Sequence, residues 1–335
     1  MLYQPAYLPQ HGVADVILDP VRRLIWVVAT HLPAPKLQVR DAATDVLLHC
    51  IKASSVGGEC PSAILAFTYA ATPTAVLVNG VEVCVSERQE ILANQFAVLP
   101  RDAIIVTTMY KHDSRYIEPY VEYYTAKGAH GFLLYDNNPT CMHEGAIHWP
   151  LPYWTSEAEG IHCAQSTHLA HAALLTAVFG KNAWLLNVDL DEYLHTSYTL
   201  PRLAELAAMG DCTVMAFRSQ WADCKALGVC APSTSPHRIR TAPFVFEWPQ
   251  RSKYMQRHAF DDPLLRDVPT FHRGIHRPRS ASVPERSIVL LKPHEGVLLH
   301  FAHASGAPRS AGIVFTHQLQ STAASEGVPD ATPPP

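Results

Sequence analysis

The sequence predicts an α/β fold with a mostly parallel sheet, preceded by a small β-rich, sandwich-like module. Three observations carry this expectation. After Pro100, apolar strand-like runs alternate with stretches of helical spacing, the pattern of a parallel sheet with helices packed on it. Before Pro100 the chain is a series of short β-branched runs broken by Pro, Gly and Asp. The polar clusters of the later part stand at the ends of its apolar runs, where open α/β sheets bind ligands. The expected division is residues 1–100, 101–306 and a tail over 307–335.

In the first part, Val13 to Leu18, Leu24 to Thr30 and Thr74 to Val85 read as strand material. Asn79-Gly80 between Val76-Leu77-Val78 and Val81-Glu82-Val83 predicts a two-residue hairpin, since both positions tolerate positive φ. Few polar clusters of catalytic type occur here, which suits a scaffolding or docking role. From 101 onward, Ala103 to Thr108 is a continuous apolar run, as in a strand buried on both faces. Tyr116, Ile117, Tyr120, Val121 and Tyr124 follow helical spacing, with Gly128 placed to end the helix. Pro119 requires that helix to begin near Tyr116, because only its first turn tolerates proline.

Gly131 to Tyr135 is the next strand and runs into the turn cluster Asp136-Asn137-Asn138-Pro139. Gln165 to Phe179 predicts a helix stopped by Gly180, and Ala183 to Val188 a strand that breaks into Asp189-Leu190-Asp191-Glu192. A helix over Leu200 to Met209 and a strand over Cys212 to Phe217 follow. About the last fifteen residues hold Pro, Ser and Ala with little to bury, and disorder is expected there.

Bulk composition narrows the function. Charged residues make up 17% of the 335 residues and the formal net charge is -4. Nothing in that balance favours a nucleic-acid partner, which needs clustered Lys and Arg. The eight cysteines form no Cys-x-x-Cys pair, against a zinc knuckle. Cys224 and Cys230 are the closest pair, and disulfides and free thiols both stay open. No apolar run approaches the roughly 20 residues that cross a bilayer, so no transmembrane segment is expected. The N-terminus lacks the basic-then-apolar order of a signal peptide. A cytoplasmic setting is the expectation, with a membrane-peripheral or secretory-lumen one if the chain is truncated.

Asp189 and Asp191 lie two apart at the end of an apolar strand, so their carboxylates can face one way. Such a pair offers hard oxygen ligands to Mg2+ or Mn2+, with substrate phosphates completing the shell. An isolated Asp-x-Asp is a weak signal, and a solvated turn capping the next helix is the competing account. The preceding Trp184-Leu185-Leu186-Asn187-Val188 tips the balance, because it delivers the pair to the rim of a sheet. Glu192 either orients a ligand from behind or is surface charge.

Several blocks together resemble a known family. Lys111-His112-Asp113, then Arg115-Tyr116-Ile117-Glu118 with Glu122-Tyr123, then Gly128 through Asn138 look like the opening block of glycosyltransferase family 92 and its bacterial and viral relatives. Asn187-Val188-Asp189-Leu190-Asp191-Glu192-Tyr193-Leu194 is similar to that family's Asp-x-Asp-Glu-Phe segment. Trp221, Arg251-Ser252-Lys253-Tyr254 and Leu299-His300-Phe301 fall where the family places a Trp, a Lys-rich strand and a His-Tyr pair. The resemblance covers roughly residues 101–305. It implies a GT-A-type nucleotide-sugar-binding domain, bound Mn2+ or Mg2+, an inverting mechanism and a glycan acceptor. UDP-sugars are the donors it favours, galactose a frequent donor sugar. Three departures stand out: His112-Asp113 replaces Asn-Glu, Phe301 replaces Tyr, and the acceptor segment reads Ala222-Asp223-Cys224-Lys225.

The resemblance distributes roles. Asp189, Asp191 and His300 would hold the cation, with His303 a rival to His300 among 19 histidines. Lys111, Asp113, Asp136 and Asn137 would contact the nucleotide. For Asp136 an Asx-turn that only stabilises its loop is an equal alternative. Lys253 and Arg251 could neutralise diphosphate oxygens, and Trp221 could offer its face to nucleotide sugar or acceptor. An inverting transferase needs a general base, and Asp223 is the first candidate, Glu247 the second. His168 and His171, at i and i+3, are a minor metal candidate. A sugar- or nucleotide-sugar-binding protein without turnover is the alternative function, and a nucleotidyltransferase ranks last for want of a Gly-rich phosphate loop.

Overall fold

The computed structural model describes residues 3–29, 37–56, 62–111, 114–138, 143–149, 151, 163–221, 252–257 and 288–300. Within them the first module contributes β1 (Val13–Asp19), β2 (Leu24–Ala29), β3 (Val39–Asp41), β4 (His49–Val56), β5 (Ser62–Thr68), β6 (Ala75–Val78), β7 (Val81–Cys84) and helix α1 (Ser86–Ala97). Then come β8 (Ile104–Tyr110), α2 (Ile117–Ala126), β9 (Gly131–Asp136), β10 (Ile147–His148), α3 (Cys163–Phe179), β11 (Trp184–Asn187) and β12 (Glu192–Thr196). The remainder is α4 (Leu200–Met209), β13 (Val214–Trp221), β14 (Ser252–Arg257), β15 (Ile288–Leu290) and β16 (Gly296–His300).

Two antiparallel sheets, β1-β2-β5-β4 and β3-β6-β7, make up the first module. Val16, Leu18, Val27 and Phe67 of one sheet share a core with Val39, Val76 and Val78 of the other. The larger sheet also buries its second face, where Ile17, Trp26, Val28 and Ile64 join α3 and β8 in the main core. Being covered on both sides explains why β1 and β2 are buried at every position and read as unbroken apolar runs. The Asn79-Gly80 hairpin forms as predicted, with φ of 49° and 83°. A Cβ on Gly80 would meet nothing within 4 Å, so glycine is needed there for its conformation and not for space.

Helix α1 adds an element that the reading of this region as β-rich did not include. Its two buried residues, Leu92 and Phe96, lie one turn apart and dock on the main core. So short an apolar stripe is easily lost among the preceding strands.

The main sheet runs β10-β9-β8-β11-β14-β13-β16-β12, with β15 also beside β13. It is mixed, combining parallel and antiparallel pairings within an α/β architecture. Strands β10, β9, β8 and β11 are parallel neighbours. Beyond them β14 runs antiparallel to both β11 and β13, and β12 antiparallel to β16. Part of the reason is chain length. A parallel neighbour needs a crossover of about a dozen residues, and the segment between Asn187 and Glu192 is far shorter. Hence β12 cannot return as a parallel neighbour of β11, and it runs antiparallel to β16 at the far edge.

Helix α3 covers one face of this sheet, and α2 and α4 pack on the other. The chain leaves β8 through α2 to β9 on one side, and reaches β11 through α3 on the other. The strand order therefore reverses between β8 and β11. Outside their carboxyl ends lies the crevice where sheets of this kind hold ligands.

Candidate functional site

The acidic cluster stands at that crevice. Strand β11 ends at Asn187, opposite Thr107 of β8, and Val188, Asp189, Leu190 and Asp191 turn the chain into β12. Two hydrogen bonds close the turn: the Glu192 N–H donates to the Asp189 carbonyl at 3.0 Å, and the Asp189 N–H donates to Glu192 Oε2 at 2.9 Å. Glu192 thus holds the turn with its own side chain.

Each carboxylate meets a basic side chain. Lys253, on β14, places Nζ 2.8 Å from Asp189 Oδ2 and 3.5 Å from Glu192 Oε2. His300, at the end of β16, places Nε2 3.2 Å from Asp191 Oδ2 and Nδ1 3.8 Å from Glu192 Oε1. Exposure separates two layers. The side chains of Glu192 and Lys253 are 3% and 1% exposed, whereas Asp189, Asp191 and His300 are 33%, 20% and 16% exposed. Asp189, Asp191 and His300 make a rim over a buried Glu192–Lys253 floor. Strand register builds it, since Glu192 pairs with His300 and His300 with Trp221 across β12, β16 and β13.

Burial pushes the Glu192 carboxyl up to about 7, against the pull of the Lys253 ammonium. For Lys253, burial opposes the charge but Asp189 and Glu192 outweigh it, and its pKa is raised. The His300 imidazole behaves likewise: burial opposes its charge, and Asp191, Glu192 and Asp189 raise its pKa on balance. The floor and rim together form a small array of alternating charge.

The other predicted site residues fall elsewhere. Asp136 is buried, with Oδ1 accepting from the Asn138 N–H at 2.9 Å and Oδ2 from the His143 N–H at 2.7 Å. This is the Asx-turn alternative, and the carboxylate shapes its own loop. Asn137 is buried too, its amide donating to the carbonyls of Trp149 and Leu151. Both side chains are engaged within the loop. The Lys253 ammonium is buried and lies between Asp189 and Glu192. Lys111 follows the last residue of β8 at the crevice and is half-buried. Trp221 ends β13, its backbone paired with His300. Asp113, Asp223, Glu247, Arg251 and His303 lie outside the described residues.

His168 and His171 turn to different partners. His168 Nε2 meets the Thr107 hydroxyl at 3.0 Å. His171 lies between Tyr135 and Asp15, at 2.8 Å and 2.7 Å. That carboxylate comes from β1, far away in sequence, which is why helical spacing could not find it.

For a divalent cation, the donor set fits an open site better than a closed one. Among the described residues no group of three or more His, Cys, Asp or Glu is arranged to cage a metal ion. Asp191 and His300 nevertheless bring a hard oxygen and an imidazole nitrogen to one place on the rim, with Asp189 in the same short turn. An oxygen–nitrogen set of this kind would leave a divalent cation to take its remaining ligands from phosphate and water. Comparison of the sequence with models of known protein families gives no match, and comparison with curated proteins gives none. Among the described residues no helix is long and apolar enough to cross a membrane.

Proposed function

We propose that the chain is a metal-dependent inverting glycosyltransferase of the GT-A type. It would move a sugar, galactose foremost, from a UDP-sugar to a glycan acceptor. One observation carries the reading: a carboxylate–imidazole rim, backed by a buried ion pair, stands where the strand order reverses between β8 and β11. The parallel half β10-β9-β8-β11 supports a nucleotide-binding arrangement of this kind, and the family resemblance supplies the donor class.

Asp191, His300 and Asp189 would hold the cation, whose chemistry is to neutralise the charge growing on the departing diphosphate. Lys253 and Glu192 keep the rim in place from below. Lys111, across the crevice, is suited to the nucleotide phosphates as a point charge. Asp223, two residues beyond Trp221, is the proposed base that takes the acceptor hydroxyl's proton. Replacing Asp189 and Asp191 together by Ala should cut Mn2+-dependent donor turnover by about a hundredfold or more, with the circular dichroism spectrum unchanged. Unaltered turnover in that double variant ends the proposal.

A nucleotide-sugar-binding protein without turnover is the second reading, favoured by one observation. Each aspartate already has a cation partner in Lys253 or His300. Donor binding by calorimetry, with neither transfer nor hydrolysis in product analysis, would select it.

A further inference from the structure

Helix α2 lies against the acidic turn, and one of its faces is committed to it. Tyr120, Tyr123, Tyr124 and Lys127 stand at i, i+3, i+4 and i+7, so their side chains share a stripe. The Tyr120 hydroxyl donates to the Val188 carbonyl at 3.1 Å. Tyr124 donates to the Glu192 carbonyl at 2.8 Å and accepts from the Leu194 N–H at 3.1 Å. Tyr123 donates to the Leu194 carbonyl at 2.7 Å, and Lys127 Nζ to the Thr196 carbonyl at 2.6 Å. Glu192, Leu194 and Thr196 alternate along β12, so their carbonyls leave by the same edge. The other edge of β12 pairs with β16. Side chains of a helix therefore complete the ladder where a further strand would otherwise stand.

The placement of two of these bonds matters most. Val188 and Glu192 are the residues on either side of Asp189-Leu190-Asp191. Their carbonyls are held by Tyr120 and Tyr124, fully buried, one helical turn apart, with ring centroids 4.8 Å from each other. Tyr123 is bonded two residues past the turn. We propose that Tyr120 and Tyr124 are positioning residues that set the reach of Asp189 and Asp191 toward a bound cation, an inference that rests on reading the acidic turn as the ligand site. A buried carbonyl that loses its donor bears its full desolvation cost, which favours any shift that finds another donor, and a shift of Val188 or Glu192 is passed directly to the aspartates.

Tyr120→Phe and Tyr124→Phe each remove one oxygen and keep the ring. Tyr123→Phe makes the same deletion on the same helix, away from the turn, and serves as the control for a purely structural loss. Mn2+ titration of the full chain by calorimetry, with amide exchange at residues 188–194, tests the idea. The first two variants should weaken Mn2+ binding about tenfold and speed exchange at Asp189 to Glu192, while Tyr123→Phe stays within about twofold of wild type. Equal losses in all three variants, or none in any, overturn the proposal. If wild-type protein binds no Mn2+, the ligand-site reading fails by itself. Exchange then decides the clasp: faster exchange confined to the first two variants upholds it, and uniform exchange overturns it.

Discussion

Two aspartate–histidine pairs in this chain show what separates scaffold from site. Asp15 and His171 meet at 2.7 Å with both side chains wholly buried. Asp191 and His300 meet at 3.2 Å with 20% and 16% exposed. The Asp15 carboxylate also takes the Tyr3 hydroxyl, the Arg88 guanidinium and the N–H groups of Ala6 and Val16. Tyr135 takes the other nitrogen of His171. Burial alone would raise the Asp15 pKa, but Arg88 and His171 outweigh it and the pKa is lowered. With its hydrogen-bonding capacity consumed and no path to water, this pair joins β1 to α3 and β9. The pair on the rim has the same chemistry and is partly open to solvent.

That contrast predicts opposite costs on removing each carboxylate. Asp15→Ala leaves a part-buried Arg88 and a wholly buried His171 without their carboxylate and should destabilise the protein by about 3–5 kcal/mol in urea denaturation. Asp191→Ala should cost about 1 kcal/mol or less in the same assay, being partly solvated. It should nevertheless lose about a hundredfold in Mn2+-dependent turnover. A large stability loss at Asp191, or a negligible one at Asp15, breaks the distinction.

A smaller effect concerns a third, sealed histidine. Burial pushes His168 down to about 3 from its ordinary 6.5. Its folded pKa is depressed, so the stability of keeping it neutral is fully present above pH 6.5. It is lost as the pH falls toward 3, at up to about 1.4 kcal/mol per pH unit. Replacing His168 by Gln should flatten that part of the stability–pH curve, read from urea midpoints at pH 4 to 7. Smallest is Gly80→Ala in the hairpin, far in sequence from both pairs. Its φ of 83° is one that alanine reaches only at about 1 kcal/mol, seen as a lowered thermal midpoint with ligand binding untouched.

Local signals in the sequence were dependable. The Asn79-Gly80 turn, the stripe of α2, the whole of α4 and the strand leading to Asp189 each follow from a few neighbouring residues. Partnerships across the fold were not legible. Asp15 and His171 are 156 residues apart, and nothing near either one announces the other. The tyrosines of α2 read as an apolar face because a hydroxyl on a backbone carbonyl leaves no residue pattern. Asp136 looked like a ligand-binding residue for the reason that made it an Asx-turn: a carboxylate at a strand end serves either purpose. Burial settled it.

The most direct test of the acidic rim is a thermal-shift titration of the full chain with UDP-galactose, with and without Mn2+, alongside the Asp189→Ala/Asp191→Ala variant. A ligand held by the native rim raises the melting temperature by mass action. The account predicts a rise in wild type that requires Mn2+ and is absent from the double variant. No rise with any UDP-sugar, or the same rise in both proteins, would contradict it.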